Sequence, residues 1–262
     1  MTETTLDRAH AAMEAAPEND ALRLRFHETL CDADLFVLLE SEVEGDRVRP
    51  VSVTIDGAEF VLAFDTEERL SAFTGRPAPY AGLPGRALVQ MMAGQGAGLA
   101  LNLQVAPSSW LLPGEGVDWL AGTLGHAPEE TEARLVGISR PTGLPETVLD
   151  ALDRKLSKTA GLARVAWLVA AEYADGGRGH VLGFVGADAR SHAALAHAAG
   201  EALTFSGIEA GVMDVIFVEE GDEMARRLER VGLRFDLPVI ERATPEVPVA
   251  PGSDPDKPPK LR

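Results

Sequence analysis

Apolar positions recur at helical spacing from the start of the chain. In TLDRAHAAMEAA, Leu6, Ala9, Met13 and Ala16 fall near one face, and Pro17 ends the pattern. A second helix is predicted from Asp20 to about Cys31, with Leu22, Phe26 and Leu30 aligned. The period then shortens. DLFVLLE reads as a strand, EVEGDRVRP as a charged turn, and RPVSVTIDGAEFVLAF as two strands joined by Asp56-Gly57, the strongest hairpin signal in the chain. Asp65 or Thr66 is placed to cap a helix in EERLSAFTG, because a short side-chain oxygen reaches the free amides of a first turn. LPGRALVQMMAG is a helix, GLALNLQV a strand, and SSWLLPGEGVDWLAGTLG a loop with a short helix.

The second half has a simpler rhythm. ARLVGIS is a strand and LPETVLDALDRKLSK a helix. LARVAWLVAAEYA and HVLGFVGA are strands across a DGGRG turn. SHAALAHAAGEALTF is a helix, VMDVIFVEE a strand and DEMARRLERVG a helix. This β-α-β-β-α-β-α order predicts a ferredoxin-like, split-βαβ domain with a mainly antiparallel sheet covered by helices on one face. The expected fold class is therefore α+β, built as two mixed α/β domains. Residues 1–125 form the first and 131–240 the second, with the polar HAPEETEA stretch at the boundary. Residues 241–262 are rich in proline with little to bury, and a disordered tail is expected there.

Composition narrows the function classes. The chain has 262 residues, 45% hydrophobic and 25% charged, ordinary for a globular protein. Net charge is −17. Residues 1–130 hold 8 Arg and 21 Asp or Glu, a net −13, and the remainder carries −4. Such a field repels nucleic acid and anionic lipid, so neither is an expected partner. MTETTLDRAH has no signal-type apolar run, and no stretch suits a membrane span, so a cytoplasmic location is expected. The single cysteine, Cys31, excludes an internal disulfide and a cysteine metal cluster.

Candidate chemistry thins on inspection. Gly94, Gly96 and Gly98 in MMAGQGAGLALN follow a helix and lead into a strand, the reverse of a dinucleotide loop, so the helix turns its negative end toward them. They read as a turn. His192 and His197 diverge by about 140° around a helix, which argues against a shared ion. Ser139 in GISRP lacks the second glycine of a nucleophile elbow. Cys31 has no basic neighbour in sequence and reads as packing. No catalytic, cofactor-binding or metal-ligating residue is assigned. One group suits a contact surface: Tyr80, Arg86, Asn102, Trp110 and Trp119, on loops and strand edges of the first half, where aromatic and arginine side chains act as anchors.

LRFHETLCDADLFVLLE, LAFDTEERLSAF and GRALVQMMAGQGAGLALNLQVAPSSWLLPGEGVDWL together resemble the SseB family of bacterial proteins. The shared features are a helix ending before an apolar strand, the Phe64, Thr66 and Leu70 strand-to-helix step, and the Leu101-Asn102 strand followed by a helix. The second half is similar to the family's C-terminal domain more loosely. A Lys-Glu-Phe segment of the family is replaced here by Ser109-Trp110-Leu111. The family takes its name from an enhanced serine sensitivity phenotype, and no active site comes with the resemblance. It implies a non-enzymatic regulatory or protein-interaction role, with an unidentified protein partner. Two alternatives stand beside it. ISRPTGLPETVLDAL looks like the ligand loop of ACT domains, with Ser139 in place of the aspartate and Thr142 inserted; an amino-acid (serine-type) sensor would then use Arg140 and Gly143. The other is an enzyme of unrecognised type, its site assembled from distant residues. Exposed sheet edges in the second half leave room for a homodimer.

Overall fold

The computed structural model describes residues 2–42, 48–125, 135–207 and 213–238. The charged turn's centre, the expected boundary segment and the expected tail lie outside them.

The first sheet grows from the Asp56-Gly57 hairpin. Both residues have positive φ, 51° and 84°, the pair of left-handed conformations that a tight two-residue turn needs. They join β2 (Ser52–Ile55) to β3 (Ala58–Phe64) with Ile55 opposite Ala58. β3 is the hub. β2 and then β1 (Asp34–Leu38) pair along one side of it, both antiparallel, and β5 (Gly98–Leu101) runs parallel on the other. β4 (Tyr80–Pro84) adds to β1, and β6 (Trp110–Leu112) to β5. These two strands were not anticipated. Both are short edge strands: β4 finds its partner far back in the chain, and β6 folds back on the strand just before it.

Alternation along β3 assigns the faces. Val61 and Ala63 join the core beneath α1 (Thr5–Ala15), α2 (Asp20–Asp32), α4 (Gly85–Met92) and α5 (Gly114–Gly125). Phe60, Leu62 and Phe64 face the opposite way, toward Leu70 and Phe73 of α3 (Glu67–Thr74). Thr66 caps α3, its side-chain oxygen accepting the Arg69 N–H at 3.2 Å. Gly94 and Gly96 both have φ of 73°, and the Gly94 N–H donates to an Asp118 carboxylate at 2.7 Å. A carboxylate from α5 thus takes the amide that a phosphate would need, consistent with a turn.

The second sheet holds β7 (Leu135–Ser139), β8 (Val165–Tyr173), β9 (Arg178–Val185), β10 (Met213–Val218) and an unanticipated β11 (Leu233–Asp236). It is mainly antiparallel and the class is α+β, as expected, but the strand order is not ferredoxin-like. β10, β9 and β8 lie side by side, and β11 and β7 both pair with β8, at residues 165–168 and 170–173 respectively. A split-βαβ fold separates the strands flanking each helix by a third. Here α7 (His192–Phe205) carries the chain from β9 to its immediate parallel neighbour β10, and α6 (Glu146–Leu156) links the adjacent β7 and β8. Helices also cover both faces. α6 and α7 pack against Ala166, Leu168, Leu182 and Phe184, whereas Ala225 and Leu228 of α8 (Glu223–Val231) pack against Val165, Trp167, Val169 and Val181. The two halves touch through α7, whose Phe205 enters the first core beside α2 and α5.

Candidate functional site

The five residues expected to share a surface are distributed by the fold among four environments. Asn102 is fully buried, with φ of 48° at the end of β5. Its side-chain oxygen accepts the Asp65 N–H at 3.1 Å, and its amide donates to Ser108 Oγ at 2.9 Å. The Ser108 hydroxyl donates to Asp7 Oδ1 at 2.6 Å. Arg69, only 2% exposed, completes the network, donating to Asp7 Oδ1 at 3.1 Å and to Asp65 Oδ1 at 2.8 Å. Burial alone would raise the Asp7 carboxyl, but hydrogen bonds from Arg69, Ser108 and the Thr4 amide outweigh it and hold the group well below the usual carboxylate range. The Leu-Asn step of the sequence therefore fastens α1 to the sheet. It is not a contact surface.

Trp110 and Trp119 do come together. Both flank the ring of His27 from α2, with ring centroids at 5.6 and 5.4 Å, and Phe26 meets Trp110 edge-on at 4.9 Å. Burial, with Arg23 nearby, lowers the His27 pKa to about 4, so the imidazole is neutral at pH 7. Trp119 is 47% exposed, and Met91 on the adjoining α4 is 54% exposed. Tyr80 is elsewhere, packed edge-on against Phe36 on the α3 side of the sheet.

Arg86 takes part in a further arrangement that sequence reasoning missed. It donates to Asp32 on α2 at 2.5 Å and to Glu201 on α7 at 3.1 Å. Lys155 of α6, almost fully buried, bridges the same two acids at 3.1 and 2.5 Å. Lys158 reaches Asp32 at 2.8 Å, and His197 lies 2.9 Å from Glu201. Despite burial, these cations lower the Asp32 and Glu201 pKa values, with Lys155 the largest contributor to each. Cys31, packed beside Asp32, is pushed up to about 12 by burial and then by the Asp32 charge, which leaves a thiol inert at neutral pH. A signal for this seam did exist. Glu28 and Asp32 lie four apart on α2, and Arg154 and Lys158 lie four apart at the end of α6 and the turn after it, but their mutual contact is not a local property.

The loop carrying Arg140 and Gly143 borders a cleft of about 330 Å³, closed on its other side by Arg230 to Leu233. Gly143 has φ of 81°, and the Thr142 carbonyl lies 3.1 Å from His180 Nε2 of β9. The α6 N-terminus has no side-chain cap. His192 stacks on Phe217 at 3.8 Å, and its i+5 neighbour His197 is engaged with Glu201 instead. Among the described residues no group of three or more His, Cys, Asp or Glu is placed to hold a metal ion, and no helix is long and apolar enough to cross a membrane.

The family model for the SseB protein N-terminal domain matches residues 6–119. No curated protein and no solved structure matches the chain.

Proposed function

Because residues 6–119 match the SseB protein N-terminal domain, we propose that the chain is a non-enzymatic regulatory or protein-interaction protein of the SseB type. The observation carrying this reading is the α2–β6–α5 face. There, two tryptophans flank a neutral histidine and Trp119 stays nearly half exposed. Aromatic side chains held in place by packing yet open to solvent are what partners use as anchors. Further support comes from the polar interior: the Asp7, Asp65 and Glu201 carboxylates are occupied by cations and the Cys31 thiol is far from ionising, so these groups serve packing better than turnover. The partner is a protein, and the site of action is the cytoplasm. The test is affinity capture with tagged wild type and Trp119→Ala. A stoichiometric partner recovered by the first and lost by the second supports the proposal; equal recovery, or none at low and high salt, overturns it.

A specific observation favours a second reading. The loop of Arg140 and Gly143 lines a cleft of about 330 Å³, large enough for a small amino acid, and the uncapped α6 N-terminus beside it attracts a carboxylate. Calorimetry with serine and its relatives decides it. Absence of heat at millimolar ligand, or heat unchanged in Arg140→Ala, removes the sensor.

A further inference from the structure

Most strands at the sheet edges are blunted in ways that keep an edge from pairing with another chain. β4 ends in Pro84, β6 has three residues, and β7 is bulged between Leu135 and Gly137. β2 and β11 have four residues each, with exposed Ser52 and Thr54 on the first and exposed Arg234 and Asp236 on the second. β10 is built otherwise. Its six residues, MDVIFV, run in unbroken register with β9, and among the described residues no strand lies on its other side. Asp214 is its one charge, and the Tyr173 hydroxyl donates to that carboxylate from two strands away. Val215 and Phe217 pack toward α7, Ile216 and Val218 toward α8, yet all four are only half-buried.

Backbone direction sets what a partner strand would meet. The Gly186 N–H donates to the Val218 carbonyl at 3.1 Å, and Val218 lies opposite Val185 in the parallel register. Successive residues of a strand turn their amides and carbonyls to opposite sides, so Asp214, Ile216 and Val218 face β9 while Val215 and Phe217 point outward. We propose that β10 pairs antiparallel with β10 of a second copy, on a two-fold axis through Ile216, and so joins two five-stranded sheets into one. Val215 of one protomer then exchanges backbone hydrogen bonds with Phe217 of its partner, and the reverse. Ile216 meets its own copy at a non-hydrogen-bonded position, and Asp214 falls on Val218. Strand pairs of this kind, β-branched against aromatic and Ile against Ile, are favourable. An axis at Val215 would instead bring two Asp214 side chains diagonally together, and one at Phe217 would set Glu219 against Val215. Charge also favours self-pairing through this half: residues 131–262 carry only −4, against −13 for residues 1–130, so two such sheets meet with little repulsion. The edge is separate from the Trp119 face.

Sedimentation equilibrium of the full chain at concentrations up to about 100 μM is the first test, the range suited to so small an interface. The apparent mass should rise toward that of two chains. Ile216→Lys sets two like charges on the axis and should abolish the rise, with circular dichroism checking that the variant is folded. Ile216→Cys gives a signal that misfolding does not produce. Cα atoms about 4.5 Å apart at such a position suit a disulfide, so mild oxidation should yield a covalent dimer. Val218→Cys, on the same face and equally half-buried, would lie about 13 Å from its copy and should not cross-link. Cys31 is fully buried and does not compete. The proposal is overturned by a chain that stays monomeric, by an Ile216→Lys protein that associates like wild type, by Ile216→Cys that fails to cross-link, or by Val218→Cys that links as readily. Loss of the dimer in Trp119→Ala would place self-association on the aromatic face and equally overturn it.

Discussion

Replacing Arg69 by Met removes the one cation that Asp7 and Asp65 share, while keeping a long apolar side chain in its place. Both carboxylates are about 95% buried at their side chains, so neither can turn to water without moving α1 or the start of α3. Stranding buried partners in this way costs about 3–5 kcal/mol. An independent bound comes from protonation. A carboxyl of ordinary pKa near 4 escapes its charge at pH 7 for about 4 kcal/mol, so the penalty per group is capped near that value. Hydrogen bonds from Thr4 and Ser108 remain, and the expected loss is therefore about 4 kcal/mol rather than twice that. Its pH dependence has a definite sign. In the wild type Asp7 is depressed, so its contribution is present above pH 4 and is lost as pH falls further. In Arg69→Met the same group is raised, so the variant's deficit shrinks between pH 7 and pH 4.5. Urea unfolding in a Trp167→Phe background, where Trp110 and Trp119 alone report on the first half, measures both quantities. A deficit below about 1 kcal/mol, or one as large at pH 4.5 as at pH 7, would refute the account of a buried, mutually dependent triad.

Other substitutions probe different links of the same structure. A Cβ on Gly85 would sit 2.0 Å from the Leu30 carbonyl oxygen, so Gly85→Ala should cost about 2 kcal/mol or more by forcing α4 off α2, read as a drop in the urea midpoint. Because burial lowers His27 to about 4, the unfolded chain takes up a proton that the fold refuses. Stability should therefore fall by about 3 kcal/mol as pH drops from 6.5 to 4, and His27→Phe should lose that component of the pH profile. Lys155→Met removes a buried cation from both Asp32 and Glu201, which keep Arg86; a loss of about 2 kcal/mol is expected, with faster tryptic cleavage between the halves. Trp119→Ala should change stability by no more than about 0.5 kcal/mol while losing the captured partner.

Local elements were readable because their determinants are neighbours in the chain. Asp56-Gly57 set its hairpin by backbone conformation alone, Thr66 found its amide three residues on, and both long helices of the N-terminus began and ended within one residue of expectation. The α+β class and the SseB resemblance followed from the order of such elements. Site residues were legible only in part. Trp110 and Trp119 do meet, but around a histidine that no spacing pointed to. Asn102 was noticed for its place in a motif, and its work is internal, at a positive φ.

From its residues alone, this chain determined its helices, its Asp56-Gly57 turn and its longer strands, since those depend on interactions a few residues long, whereas the short strands β4, β6 and β11 formed only against their partners. Tertiary structure decided which strands are neighbours, against the expected split order, and which charges meet. Asp7 reaches Arg69 across 62 positions, Arg86 reaches Glu201 across 115, and Asp32 reaches Lys155 across 123. An ion pair leaves no periodic trace in sequence. Any of the acidic side chains would satisfy a given arginine by charge, and only close packing in three dimensions selects the one within reach.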